Sequence, residues 1–214
     1  MQILLCAATS LEIQPLLQGL QDRHRHMVQV LVTGVGMTAA TYALTRAVVS
    51  QRPGMILQAG IAGYLDPSLT PGMVVAVGKE YLGDLGVEEH QGFRSVFDLS
   101  LAGPDDFPFT GGALVNDGPV LADAGLPVVD GITVNEISTS EQRIGFYREK
   151  YHASVESMEG AALHYVALSE KIPFLQVRSL SNFIGERNKG NWHMETALKN
   201  LNETVLQLIQ KLNP

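Results

Sequence analysis

Apolar positions along this chain fall into two alternating kinds of run. Short blocks rich in Val, Ile and Leu read as strands: residues 2–7 (QILLCA), 28–33 (VQVLVT), 55–60 (MILQAG), 72–78 (GMVVAVG), then PVVDGITV, HASVES and IPFLQVRS. Between them, three- and four-residue spacing predicts helices. One runs from about Leu11 to Leu20. A second lies in TAATYALTRAVVSQ, with Ala40, Leu44, Ala47 and Val48 on one face, and a third runs from Ser157 to about Ser169. Arg52-Pro53-Gly54 ends the second helix, and Pro71-Gly72 marks a turn before the fourth strand. The final segment, METALKNLNETVLQLIQKL, places Met194, Leu198, Leu201, Val205, Leu208 and Leu212 on one stripe and is the clearest amphipathic helix.

Strand–helix alternation predicts an α/β three-layer sandwich, a central mixed β-sheet flanked by helices on both faces. No composition break or low-complexity tract divides residues 1–214, so the expectation is a single domain. The stretch from Lys79 to Pro127 is rich in Gly, Pro and Asp and predicts loops and short strands. It argues against a simple repeated βαβ array.

Composition narrows the function classes. With 22 acidic and 15 basic residues, the net charge is −7, which disfavours a nonspecific hold on nucleic acid or an anionic membrane. A neutral pocket for a single nucleoside is unaffected. The one cysteine, Cys6, lies in the apolar run ILLCAA and reads as core. A lone cysteine permits no internal disulfide, the N-terminus lacks a basic leader, and no apolar run reaches spanning length, so the expected location is the cytoplasm.

Glycine-rich turns invite a nucleotide reading and do not sustain it. GVGMTAA (34–40) follows a strand and opens a helix, yet lacks the third glycine of a dinucleotide fingerprint and follows the second strand rather than the first. It serves steric relief, an anion or hydroxyl held on backbone N–H groups, or both. AGIAG (59–63) is read as a tight turn of the same kind. The six histidines have no ligand spacing, so no metal site is expected, and no motif calls for a cofactor.

Three polar residues fall where open α/β sheets place ligands, beyond strand ends. Glu12, three residues after Thr9, fits a capping box and equally fits a carboxylate that orients a water. Glu159 begins a helix whose Gly160, Ala161 and Ala162 permit close approach to the sheet; it reads as helix-start electrostatics or as a ligand for sugar hydroxyls. Asn182 ends VRSLSN and reads as a turn former or a base contact. Glu156 supports the same cluster, although strand alternation leaves its direction open.

The ordered segments AATSLEI, GVGMTAA, QAGIAGYLDPSLTPGMVVAV and SVESMEGAALHYVALSEKIPFLQVRSLSN resemble the nucleoside phosphorylase / 5′-methylthioadenosine–S-adenosylhomocysteine nucleosidase superfamily over essentially the whole chain. Within it, VRSLSNFIGERNK and the short Gln21–Val30 connection are most similar to the futalosine hydrolase branch, which releases hypoxanthine from futalosine in an alternative menaquinone pathway. The resemblance implies a nucleoside phosphorylase-like fold, a small purine nucleoside as substrate, and a homodimer or larger assembly. It implies that Glu12 activates the hydrolytic water, that Glu159 binds the ribose hydroxyls with Met158 under the sugar, and that Gly60 and Ile61 belong to the binding wall. Asn182 stands where adenine-specific nucleosidases carry an aspartic acid. An amide cannot act as that acid, but it offers a donor and an acceptor to a 6-oxopurine.

The resemblance also places a base-stacking region at GITVNEISTS (131–140), which has no aromatic residue here; Phe107 and Phe109 are the candidate substitutes. Arg187, Lys189, His193 and Arg143 are candidate partners for the substrate's aryl carboxylate, each also readable as a solvated charge. Trp192 covers that aryl group or packs in the core or an interface. Glu12 beside a phosphate would be repulsive, and Ile61 offers no hydroxyl, which favours water over phosphate as nucleophile. A methylthioadenosine nucleosidase, a purine nucleoside phosphorylase and a non-catalytic nucleoside-binding protein remain alternatives.

Overall fold

Strand β1 (Ile3–Ala7) is buried at all five positions, and successive side chains feed opposite faces of the sheet. Ile3, Leu5 and Ala7 join a cluster with Ile13, Leu16, Leu201, Val205 and Ile209, whereas Leu4 and Cys6 join Leu44, Val48, Leu163 and Phe174. The two clusters are the two interfaces of a three-layer α/β sandwich. The computed structural model describes residues 1–20, 27–90 and 92–212; the Gln21–Val30 connection therefore lies partly outside the described residues.

Helix α1 (Ser10–Gly19) and the C-terminal helix α6 (Met194–Leu212) cover one face, packed on each other. Helices α2 (Met37–Ser50) and α5 (Gly160–Ser169) cover the other. The remaining α-helices among the described residues are α3 (Pro119–Asp123) and α4 (Glu141–Tyr151). The sheet contains β2 (Val28–Val32), β3 (Met55–Tyr64), β4 (Val74–Leu82), β7 (Leu114–Val115), β8 (Val128–Thr133), β9 (Val155–Ser157) and β10 (Phe174–Phe183), and β5 (Gly86–Glu89) with β6 (Gly92–Ser95) forms a separate hairpin. No helix among the described residues is long and apolar enough to cross a membrane.

Strand β3 positions the site. Its first half pairs in parallel with β1, its second half pairs antiparallel with β9, and β10 runs parallel along its other side. Since β10 also pairs with β4, β4 with β8, and β8 with β9, these five strands close a ring. The expected turn at AGIAG is not a turn: residues 59–63 continue β3. Their glycines make room for side chains arriving from elsewhere. A Cβ on Gly60 would overlap Arg178 Nη1 and lie 3.1 Å from Glu12 Oε1, and one on Gly63 would overlap Ile184.

The predicted stripe of the last helix is divided between two tasks. Leu201, Val205 and Leu208 enter the core, while Met194 and Leu198, two turns and one turn earlier, face a cavity. Cys6 is fully buried, and burial raises its thiol pKa to about 12, which leaves it inert packing.

Candidate active site

Thr9 is the N-cap of α1, and Glu12 reaches back to it: Oε2 accepts the Thr9 backbone N–H at 2.9 Å and its hydroxyl at 3.1 Å. The other oxygen, Oε1, accepts the backbone N–H of Ile61 at 3.2 Å. The capping role and a place at the sheet edge are thus held by one carboxylate. Asn202 of α6 secures the same turn, donating to the Glu12 carbonyl at 2.8 Å and accepting the Leu16 N–H at 2.8 Å. It does so beside Pro15, which has no N–H of its own.

Glu159 is the N-cap residue of α5 and is 6% exposed. Its Oε1 accepts the backbone N–H of Gly36 at 3.1 Å, and its Oε2 lies 3.6 Å from Arg178 Nη1. The anion held by the glycine turn GVG is therefore a side chain of the protein itself. Gly34 and Gly36 sit at φ +82° and +93°, which glycine adopts without steric cost.

Arg178, which sequence reasoning passed over, ties these groups together. It is 1% exposed; Nη2 donates to Gln58 Oε1 at 3.0 Å and Nη1 to the Ile61 carbonyl at 3.3 Å. An arginine inside the strand run FLQVRS was itself the missed signal, because a charge in a buried strand requires partners. Behind it lies a further buried acid, Glu80, which accepts from Gln176 at 2.8 Å and from Thr133 at 2.9 Å. Burial raises its pKa to about 7 against those hydrogen bonds. Gly160 permits this arrangement, since a Cβ there would overlap Glu80 Oε1.

Glu12, Glu159, Asn182, Met158 and Glu156 all line one cavity of about 390 Å³, together with Ile61 and Arg187. Gly60, also expected on the binding wall, does not line it; the space beside its Cα is taken by Arg178 and Glu12. Asn182 Oδ1 accepts the Ser181 hydroxyl at 2.7 Å, and its Nδ2 donates to the Phe183 carbonyl at 3.1 Å. From Gly60 to Gly63 the strand β3 rises about 10 Å, so the acid cluster and the Asn182 level are spaced along one wall.

Trp192 is also on the cavity wall. Its Nε1 donates to the Glu186 carbonyl at 3.0 Å, and the Arg187 guanidinium lies 5.5 Å from its ring centre. Other expected groups are elsewhere. Arg143 pairs with Glu88 over the Phe93 ring, and Lys189 and His193 do not line the cavity. Phe107 is 68% exposed, while Phe109 packs on Phe97 and Tyr165. Neither phenylalanine lines the cavity; Ile137 is the wall residue that the 131–140 segment supplies. A larger depression of about 700 Å³ between the β5–β6 hairpin and α4 contains none of the expected catalytic residues.

Residues 15–212 match the model of the phosphorylase superfamily. The chain belongs to that superfamily. It is 29% identical over 182 residues to the futalosine hydrolase of Thermus thermophilus, covering 84% of this chain and 80% of the relative. It is 30% identical over 206 residues to that of Acidothermus cellulolyticus, covering 91% and 81%. A solved methylthioadenosine/S-adenosylhomocysteine nucleosidase from Colwellia psychrerythraea, in complex with adenine, superposes with a TM-score of 0.81 at 21% identity, covering 99% of this chain and 96% of that one. The fold is the one expected, and the chain is a nucleoside-hydrolysing enzyme, an N-glycosyl hydrolase.

Proposed function

We propose that this enzyme hydrolyses the N-glycosidic bond of futalosine, releasing hypoxanthine and dehypoxanthine futalosine, with residues 1–214 acting as one catalytic domain in menaquinone biosynthesis. The observation that carries this reading is the cavity itself: the Glu12 and Glu159 carboxylates, the Asn182 amide and the Arg187–Trp192 pair line a single space.

Glu12, fixed by three hydrogen bonds, orients a water toward the anomeric carbon and takes its proton. The C–O bond forms as the bond to the base nitrogen breaks, through a transition state with positive charge on the sugar. Glu159 accepts from the ribose hydroxyls, and its negative charge offsets that developing charge. The departing electron pair stays on the purine, whose 6-oxo form carries it better than adenine does; solvent supplies the proton that Asn182 cannot. Arg187 meets the substrate carboxylate, with Trp192 against the aryl ring. Phosphate as nucleophile is disfavoured because the Ile61 N–H is already occupied by the Glu12 carboxylate.

The test is release of hypoxanthine from futalosine by the purified protein, with and without phosphate, beside methylthioadenosine as competing substrate. Preferential, phosphate-independent turnover of futalosine is expected. Preference for methylthioadenosine, or dependence on phosphate, would replace this reading with one of the alternatives.

A further inference from the structure

Gly63 of β3 pairs laterally with Asn182 on β10 and, on its other side, with Glu156 on β9. Two strand spacings separate these flanking residues, about 10 Å between their backbones. Between them the glycine contributes no side chain, and Ile184 occupies the space where its Cβ would stand. Asn182, Glu156 and Ile184 all line the cavity. The result is an apolar floor with a polar group on either rim, a shape suited to a flat heterocycle read along two edges.

Glu156 is 4% exposed. Its Oε1 accepts the backbone N–H of Ser138 at 3.1 Å, while Oε2 has no hydrogen-bond partner among the described residues. A buried carboxylate oxygen without a donor is costly. Burial also raises the pKa of this carboxyl group, opposed by its bonds to Ser138, and a donor brought by a ligand offsets the same cost.

We propose that Glu156 is the second base-reading group of this site, accepting the ring N1–H of a 6-oxopurine while Asn182 engages the opposite, imidazole edge. The inference rests on the nucleoside-hydrolysing reading above and adds the feature that selects the base. A 6-oxopurine presents a donor at N1, which a carboxylate attracts. A 6-aminopurine presents a lone pair there, which it repels. Discrimination thus comes from a mismatched acceptor facing an acceptor, the kind of contact that rejects a wrong ligand most strongly.

The experiment measures binding of the free bases hypoxanthine, 1-methylhypoxanthine and adenine by titration calorimetry to the wild type, Glu156→Ala and Glu156→Gln. The wild type should prefer hypoxanthine over both others by about ten- to a hundredfold, the worth of a hydrogen bond to a charged group. In Glu156→Ala that preference should collapse to within about threefold. Glu156→Gln, whose amide donates to the N1 lone pair, should move the adenine-to-hypoxanthine ratio about tenfold toward adenine. Circular dichroism monitors folding, and if the alanine variant does not fold, the glutamine variant decides. An unchanged preference in the folded variants overturns the inference, and if those proteins still release hypoxanthine from futalosine, only the role of Glu156 falls. No hypoxanthine binding by the wild type overturns this inference; the proposed function falls only if the wild type also fails to release hypoxanthine from futalosine.

Discussion

Arg178 Nη1 lies 3.6 Å from Glu159 Oε2, with both side chains almost wholly withdrawn from solvent. The pair joins β10 to the start of α5 and stands against Gly60, where Glu12 also arrives. Removing one member leaves the other buried and unpaired. Arg178→Met should therefore destabilise the fold by about 3 kcal/mol, read as a lower urea midpoint. The double variant Arg178→Met/Glu159→Gln should regain part of that stability and no activity, because the proposed sugar contact is still lost. Recovery of turnover in the double variant would show that Glu159 serves only to neutralise the arginine.

Glu12 holds a helix cap and the proposed water at once, and the two roles separate by substitution. Glutamine at this position of a capping box still reaches the N-cap backbone through its amide oxygen, while its NH2 faces the Ile61 N–H that Glu12 Oε1 accepts, so Glu12→Gln should stay folded with stability lower by about 1–3 kcal/mol. It cannot take a proton, and kcat should fall by about 10²–10⁴-fold. A variant with full turnover would end the assigned role.

At position 182 the amide and the acid differ in what they can donate. Asn182 gives its N–H to the Phe183 carbonyl and accepts from Ser181. Asn182→Asp introduces a group that can protonate a leaving purine, so relative kcat/KM for 6-aminopurine nucleosides over 6-oxopurine nucleosides should rise by about tenfold or more. Paired assays with adenosine- and inosine-type substrates measure the ratio, and an unchanged value would remove Asn182 from base selection.

Much of this was legible in the sequence, for reasons tied to range. Strand runs and helical stripes are local patterns, and α2 buries Ala40, Leu44 and Val48 as the spacing requires. The family motifs led to Glu12, Glu159 and Asn182, and the structure brings all three to one cavity. What failed was information carried by distant partners. AGIAG reads as a turn when glycine is taken as local punctuation; in the fold, Gly60 and Gly63 admit Arg178 and Ile184 from the far end of the chain. Glu80 and Asn202 give little local signal of their function, and Arg178 signals only that a charge in a strand needs partners; the partners themselves lie across the sheet or between helices. Phe107 and Phe109 mislead for the converse reason: aromatic residues in a loop carry no sign of which surface they cover.

Asn202 tests how far the scaffold positions the proposed catalytic carboxylate. Its amide spans the Glu12 carbonyl and the Leu16 N–H from within the buried stripe of α6. Asn202→Leu keeps the volume and leaves both backbone groups without that partner, a cost of about 1–3 kcal/mol. If the bridge also aims Glu12, kcat should fall while KM for the nucleoside stays near its wild-type value. Loss of stability with kcat unchanged would confine Asn202 to holding the two helices together.

Glu80 gives the enzyme a pH dependence of stability with a definite sign. Burial raises its pKa from 4.5 to about 7 in the fold. Between those values the native state holds a proton that the unfolded chain has released, so its contribution is complete below pH 4.5 and is lost as pH rises through about 7. The slope from this one group approaches about 1 kcal/mol per pH unit within that window. Glu80→Gln can still accept from Gln176 through its amide oxygen and donate to the Thr133 hydroxyl, which already receives the Ala161 N–H at 2.7 Å. Melting temperatures measured from pH 5 to 8 should therefore decline less steeply in Glu80→Gln than in the wild type, with the two proteins diverging most toward pH 8. Parallel curves would mean that Glu80 does not change its protonation on unfolding, and that the buried Arg178 holds it ionised throughout.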